Sequence, residues 1–168
     1  MRYIRTATTP FTELNPLELD RVNYCAHIAL DSDAQCNQIK LGAMLVCNKM
    51  YISSNSSRQQ IGKKPVRSVH AEIGALIQHN RDNGIYYLNH VVYTYRSRKR
   101  RRKKLHNAVL YVVRFSTRPA NDAIGHACGL AKPCADCERY LILHSVGTVK
   151  YSENVNGTNV LHTMKLVE

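Results

Sequence analysis

Two short segments, far apart in the chain, must meet in the folded protein: Val69-His70-Ala71-Glu72 and Pro133-Cys134-Ala135-Asp136-Cys137. Cysteines three residues apart on a helix present both sulfurs on one face, where they can bind one metal ion. His70 supplies a third ligand from a second helix. Three protein ligands leave one tetrahedral position open to water, the arrangement of a catalytic zinc rather than of a closed structural one. Zinc lowers the pKa of bound water from about 15.7 toward about 7. Glu72, two residues after the histidine, is placed to accept and return the proton. Both segments read as helix starts, where the partial positive charge favours the thiolates of Cys134 and Cys137. The competing reading is a purely structural zinc site, which has no use for Glu72.

The rest of the chain supports a folded core around such a site. Its 168 residues suit one domain, and 44% apolar with 21% charged residues excludes a wholly disordered chain. The longest apolar run, Ala108–Val113, is too short to cross a bilayer, and no apolar signal region follows Arg2 and Arg5. The expected setting is therefore intracellular and cytoplasmic. Six cysteines without a signal peptide read as reduced thiols and a metal site rather than as a disulfide framework.

Periodicity then orders the elements. Met1–Asn15 lacks a period and reads as an N-terminal arm. Pro16 opens a helix whose apolar positions, Leu19 through Leu30, recur at three- and four-residue spacing. Leu41–Cys47 and Met50–Ile52, separated by Asn48 and Lys49, read as a hairpin. Ser53–Lys64 reads as a loop. A second helix is predicted over His70–His79, stopped by Asn83 and Gly84, and Ile85–Tyr95 stays open between strand and packed loop. Ala108–Phe115 is predicted to be a central strand buried on both faces. Ser116–Lys132 reads as a long loop, and a third helix is expected from Pro133 to Ser145, stopped by Gly147. Thr148–Tyr151 makes a further strand, and Val160–Val167 a last strand or helix. This order implies helices packed on a mixed sheet within one domain, residues 1–168.

The His-Ala-Glu and Pro-Cys-x-x-Cys pair resembles the zinc-dependent cytidine and deoxycytidylate deaminase superfamily over roughly Leu41–Tyr151. The segment AKPCADC, with the later VKYS ending at Ser152, looks most like small virus- or phage-type deaminase-like proteins. The resemblance implies an α/β fold, a three-layer α/β/α sandwich with a mixed sheet. It implies Zn2+ held by His70, Cys134 and Cys137, with Glu72 as proton shuttle. It further implies that the backbone around Ala71 and Pro133 holds the pyrimidine edge and that Asn55 binds the sugar. Departures narrow the branch. Nucleoside deaminases usually have Cys where this chain has His70, and riboflavin-pathway deaminases have a longer gap between the cysteines. Lys132 replaces the Glu of adenosine and guanine deaminases, and Gly74 the Asn of typical deoxycytidylate deaminases. Polynucleotide-editing relatives carry a Trp that this chain lacks. The reaction expected is hydrolytic deamination of a cytosine nucleotide of the deoxycytidylate type, giving its uracil counterpart and ammonia.

Charge raises the competing substrate reading. The net charge is +12, but eight of the 24 basic residues lie in Arg96–Lys104, a basic insertion. That run reads as a solvated loop, a nuclear-import patch or an arm for single-stranded nucleic acid, with Tyr86, Tyr87, Tyr93 and Tyr95 as stacking platforms or packing residues. The alternatives to a nucleotide deaminase are thus deamination of cytidine or adenosine in single-stranded DNA or RNA, and a non-catalytic zinc-stabilised nucleic-acid-binding protein. Arg58, Lys63 and Lys64 precede the second helix and read as a phosphate clamp or a solvated loop. Cys25, Cys36, Cys47 and Cys128, with His106 and His126, fit scattered packing residues better than a second zinc site. A homo-oligomer is compatible with the resemblance.

Overall fold

The structure is a computed structural model that describes residues 1–30, 32, 40–55, 59–61, 64–66, 70–83, 85–88, 91–94, 105–119 and 126–168. For 59–61, 64–66, 85–88, 91–94, 116–119 and 126–127 it describes the backbone alone. Cys36, Arg58, Lys63, Gly84, Tyr95 and the run Arg96–Lys104 lie outside the described residues, as do the side chains of Lys64, Tyr86, Tyr87, Tyr93 and His126.

In chain order the elements are β1 (Arg2–Pro10), α1 (Pro16–Leu30), β2 (Lys40–Val46), β3 (Met50–Ser54), β4 (Gln59–Ile61), β5 (Lys64–Val66) and α2 (Ala71–Asp82). These are followed by β6 (Ile85–Leu88), β7 (Val91–Thr94), β8 (Val109–Pro119), β9 (His126–Gly129), α3 (Ala135–Leu143), β10 (Thr148–Val155) and β11 (Thr158–Val167). Seven strands form one sheet in the order β1-β11-β10-β8-β2-β3, with β9 beside the far part of β8. β8 and β10 run parallel and the other pairs antiparallel, which makes the sheet mixed.

Alternation along the central strands separates two cores. Ala43 and Leu45 of β2, Leu110 and Val112 of β8, and Val149 and Tyr151 of β10 pack with Ala71, Ala75 and Leu76 of α2 and Leu141 of α3. Their neighbours Met44, Tyr111 and Val113 face the other way, onto Val22, Cys25 and Ala26 of α1. The result is the three-layer α/β/α sandwich, with α1 on one face and α2 and α3 on the other. β8 is central and fully buried from Leu110 to Val113, as its unbroken apolar run requires.

Four readings of the sequence change. Met1–Asn15 is not an arm: Arg2–Pro10 pairs with β11 as an edge strand, with a slip in register between Arg5 and Ala7. It shows no period because most of its side chains on both faces meet solvent. Ser53–Lys64 is not all loop, since β3 runs to Ser54 and β4 pairs with β5. Within Ser116–Lys132, β8 continues to Pro119 and β9 returns beside it. α3 ends at Leu143, with Ser145 in the left-handed region at φ 55°. Gly147 serves a different purpose, because a Cβ there would lie 1.6 Å from the His106 carbonyl oxygen. The open segment Ile85–Tyr95 resolves into the paired strands β6 and β7, and the tail into β11.

Candidate metal centre

The N-termini of α2 and α3 lie together on one face of the sheet, and each opens on a ligand. His70 is the N-cap of α2 and Cys134 the N-cap of α3, both in extended backbone, so each helix begins one or two residues later than its motif suggests. Cys137 sits one turn into α3, and its backbone N–H donates to Cys134 Sγ at 3.5 Å. His70 Nδ1 lies 3.2 Å from Cys137 Sγ and 3.6 Å from Cys134 Sγ. The three donor atoms all fall within 4.8 Å of one another.

That spacing fits zinc. Tetrahedral bonds of about 2.3 Å to sulfur and about 2.0 Å to nitrogen separate neighbouring donors by roughly 3.5–3.8 Å. Two thiols and an imidazole, one from each of two helix starts and one from the first turn, are also the soft and borderline donors that zinc prefers. Burial pushes the Cys137 thiol up, helped by the nearby Glu72 and Cys134 charges. A divalent cation reverses that preference, since a coordinating thiol is held as thiolate.

Glu72 lies in the first turn of α2, only 2% exposed, and does not join the donor cluster. One of its carboxylate oxygens, Oε2, is buried without a hydrogen-bond partner among the described residues. Burial raises its pKa, while its own backbone N–H and the His70 charge pull the other way. A buried carboxyl with an unsatisfied oxygen is costly to keep for packing alone.

The remaining predicted positions divide. Ala71 and Pro133, next to the ligands in sequence, are both buried. Asn55, just past β3, is held by the scaffold: its Oδ1 accepts from the Leu41 N–H at 2.8 Å and from the Ser32 hydroxyl at 2.9 Å. Lys132 pairs with Glu138 at 3.6 Å across the start of α3. Among the described residues there is no second metal-capable group: Cys25 is fully buried, its thiol pushed up to about 12 by burial, and Cys47 Sγ contacts the Lys49 carbonyl. Ser152, which ends the VKYS segment, carries a structural role that its sequence does not reveal. Its carbonyl accepts from Ala131 N–H at 2.8 Å, and its fully buried hydroxyl accepts from Arg114 N–H and donates to the Gly129 carbonyl, both at 3.1 Å. Ser152 thereby fixes the approach of the chain to Cys134.

Residues 20–153 match the family model described as the cytidine and deoxycytidylate deaminase zinc-binding region, which spans both ligand segments. The chain belongs to this family. It is accordingly a zinc-dependent deaminase of a cytosine-type substrate, with His70, Cys134 and Cys137 as the group able to hold the metal. A cytidine deaminase from Burkholderia pseudomallei is similar in structure at 18% identity and a TM-score of 0.48, over 85% of this chain and 89% of that one. No curated protein matched. Among the described residues no helix is long and apolar enough to cross a membrane.

Proposed function

We propose that the protein hydrolyses the exocyclic amine of a cytosine mononucleotide, of the deoxycytidylate type, so that water and the nucleotide become the uracil nucleotide and ammonia. The observation that carries this reading is the buried, unpartnered Glu72 oxygen beside a three-donor cluster. Bound zinc supplies Lewis acidity and makes water nucleophilic at neutral pH. His70, Cys134 and Cys137 would hold it, and as three protein donors they would not close the metal to solvent. Glu72 accepts the water proton at Oε2, passes it to the ring nitrogen, and delivers the second proton to the departing amine. Burial of Glu72 keeps bulk water from competing for that proton. The backbone at Ala71 and Pro133 is assigned to the pyrimidine edge, Asn55 to the sugar, and Lys63 and Lys64 to the phosphate.

The test is an equimolar panel of deoxycytidylate, cytidylate, deoxycytidine and cytosine- or adenosine-containing single strands, each read for a one-dalton mass change. Conversion of deoxycytidylate is expected, with Glu72→Gln slower by about 10²- to 10⁴-fold while retaining zinc. Conversion of the strands alone would overturn the mononucleotide and make Arg96–Lys104 a substrate arm. Conversion of nothing, with zinc bound, would favour a zinc-stabilised binding protein.

A further inference from the structure

The face of the sheet that carries the metal centre also carries Arg114. Side chains alternate along β8, so Arg114 shares the face of Leu110 and Val112, the one covered by α2 and α3. On one side its backbone is tied to Ser152, which holds Ala131, three residues before Cys134. On the other side it pairs with Leu41, whose N–H is held by Asn55. Arg114 therefore stands in line between the residue assigned to the sugar and the loop that enters the metal cluster.

Two observations set this arginine apart. Arg5, Arg21 and Arg139 each donate to a side-chain oxygen, Tyr151 Oη, Tyr111 Oη and Asp136 Oδ1 respectively. The guanidinium of Arg114 has no acceptor among the described residues, as is true of Arg2 and Arg81; those two are exposed, whereas Arg114 is partly buried. The second observation is Gly129, its partner across β8 and β9. The backbone there is ordinary, so its conformation does not require glycine. The close neighbour is the arginine side chain itself: a Cβ at Gly129 would lie 2.6 Å from Arg114 Cδ and 2.9 Å from Nε, so a larger residue there would push the stem aside. Gly129 is the seat on which the arginine stem lies, and a seated stem has less rotamer freedom left to lose when the head binds a ligand.

We propose that Arg114 recognises the phosphate of the substrate nucleotide, which rests on the cytosine-nucleotide reading above and names a specificity-determining residue for it. A guanidinium presents a planar pair of donors to phosphate oxygens and keeps its charge at all working pH values. A mononucleotide, rather than a strand phosphate, is the ligand assigned.

The experiment is the ratio of kcat/KM for deoxycytidylate to that for deoxycytidine, in wild type, Arg114→Gln, Arg114→Lys and Gly129→Ala. Arg114→Gln is expected to lower the ratio about 10- to 100-fold, chiefly through KM for the nucleotide. Arg114→Lys should fall between, and Gly129→Ala should lower the ratio by displacing the stem. An unchanged ratio in Arg114→Gln, or equal losses on both substrates, would overturn the proposal. Calorimetric titration of zinc-loaded Glu72→Gln with deoxycytidylate, and with inorganic phosphate as competitor, gives a readout without turnover. If wild type converts no cytosine compound yet nucleotide binding depends on Arg114, the deaminase reading falls and the phosphate site stands. If wild type converts deoxycytidylate and Arg114 is immaterial, the reverse holds. A larger Arg114-dependent loss with a cytosine-containing trinucleotide than with the mononucleotide would reassign the phosphate to a strand and overturn the mononucleotide proposal.

Discussion

The start of α1 and the starts of α2 and α3 use the same backbone geometry for different ends. At α1, Asn15 Oδ1 accepts from Glu18 N–H at 2.9 Å while Asn15 Nδ2 donates to Glu18 Oε2 at 3.0 Å, so the exposed helix end is closed by reciprocal side-chain bonds. At α2 the N-cap is His70, which makes no capping bond, and at α3 it is Cys134, whose sulfur takes the Cys137 N–H at 3.5 Å. Asn, Asp, Ser and Thr are the residues that cap best, and here two of the three helices forgo them. The helix on the α1 face is finished for stability. On the opposite face the capping positions of both helices hold candidate metal ligands, so a bound zinc would tie the two helix ends together.

Breaking the comparison at the metal should have the largest effect. With zinc a thousandfold above its dissociation constant, chelation is expected to remove about 4 kcal/mol of stability, read as a drop in the urea midpoint. Asn15→Ala should leave that zinc-dependent difference intact.

A smaller effect is expected at the other end of α3. A cationic histidine usually suits a helix C-terminus, yet burial, with His79 nearby, lowers the pKa of His144 to about 4. In the unfolded chain its pKa is about 6.5. Between those values the unfolded state binds the extra proton, so stability is full above pH 6.5 and falls as pH drops toward 4. The loss is about 2 kcal/mol by pH 5, measured as the part of the denaturation shift that His144→Asn abolishes.

The caps themselves give the finest test. Asn15→Ala is expected to cost about 1 kcal/mol and leave turnover alone, by denaturation and by rate. Cys134→Ser installs the better cap where a ligand stood. In zinc-free protein it should gain about 0.5 kcal/mol, while zinc affinity falls, by parallel denaturation and metal titration. A loss of zinc-free stability would mean that the thiol is already an adequate cap.

How much of this could be read in the chain follows the range of the forces involved. His70, Cys134 and Cys137 were legible as a donor group because ligand chemistry demands particular atoms at short spacing. β8 and the β2–β3 hairpin were legible because burial on two faces, or a tight turn, leaves a local pattern. β1 was not, because an edge strand with solvent on both faces has no alternation to show and is defined by β11, far along the chain. β9 was hidden by the turn-forming residues around it, among them Gly129, which pairs with Arg114 across the ladder. The exact helix starts were missed by one or two residues because the candidate ligands His70 and Cys134 occupy the capping positions.

The slip in register between Arg5 and Ala7 keeps the sheet finite. A regular outer strand offers its free N–H and C=O groups to any extended chain that drifts alongside, which is how soluble sheets begin to stack into aggregates. Here that ladder is interrupted midway, flanked by the charges of Arg2 and Arg5 and ended at Pro10, which has no N–H to give. β1 closes the sheet on that side without inviting another strand, which protects the protein at the concentrations where an unguarded edge would polymerise.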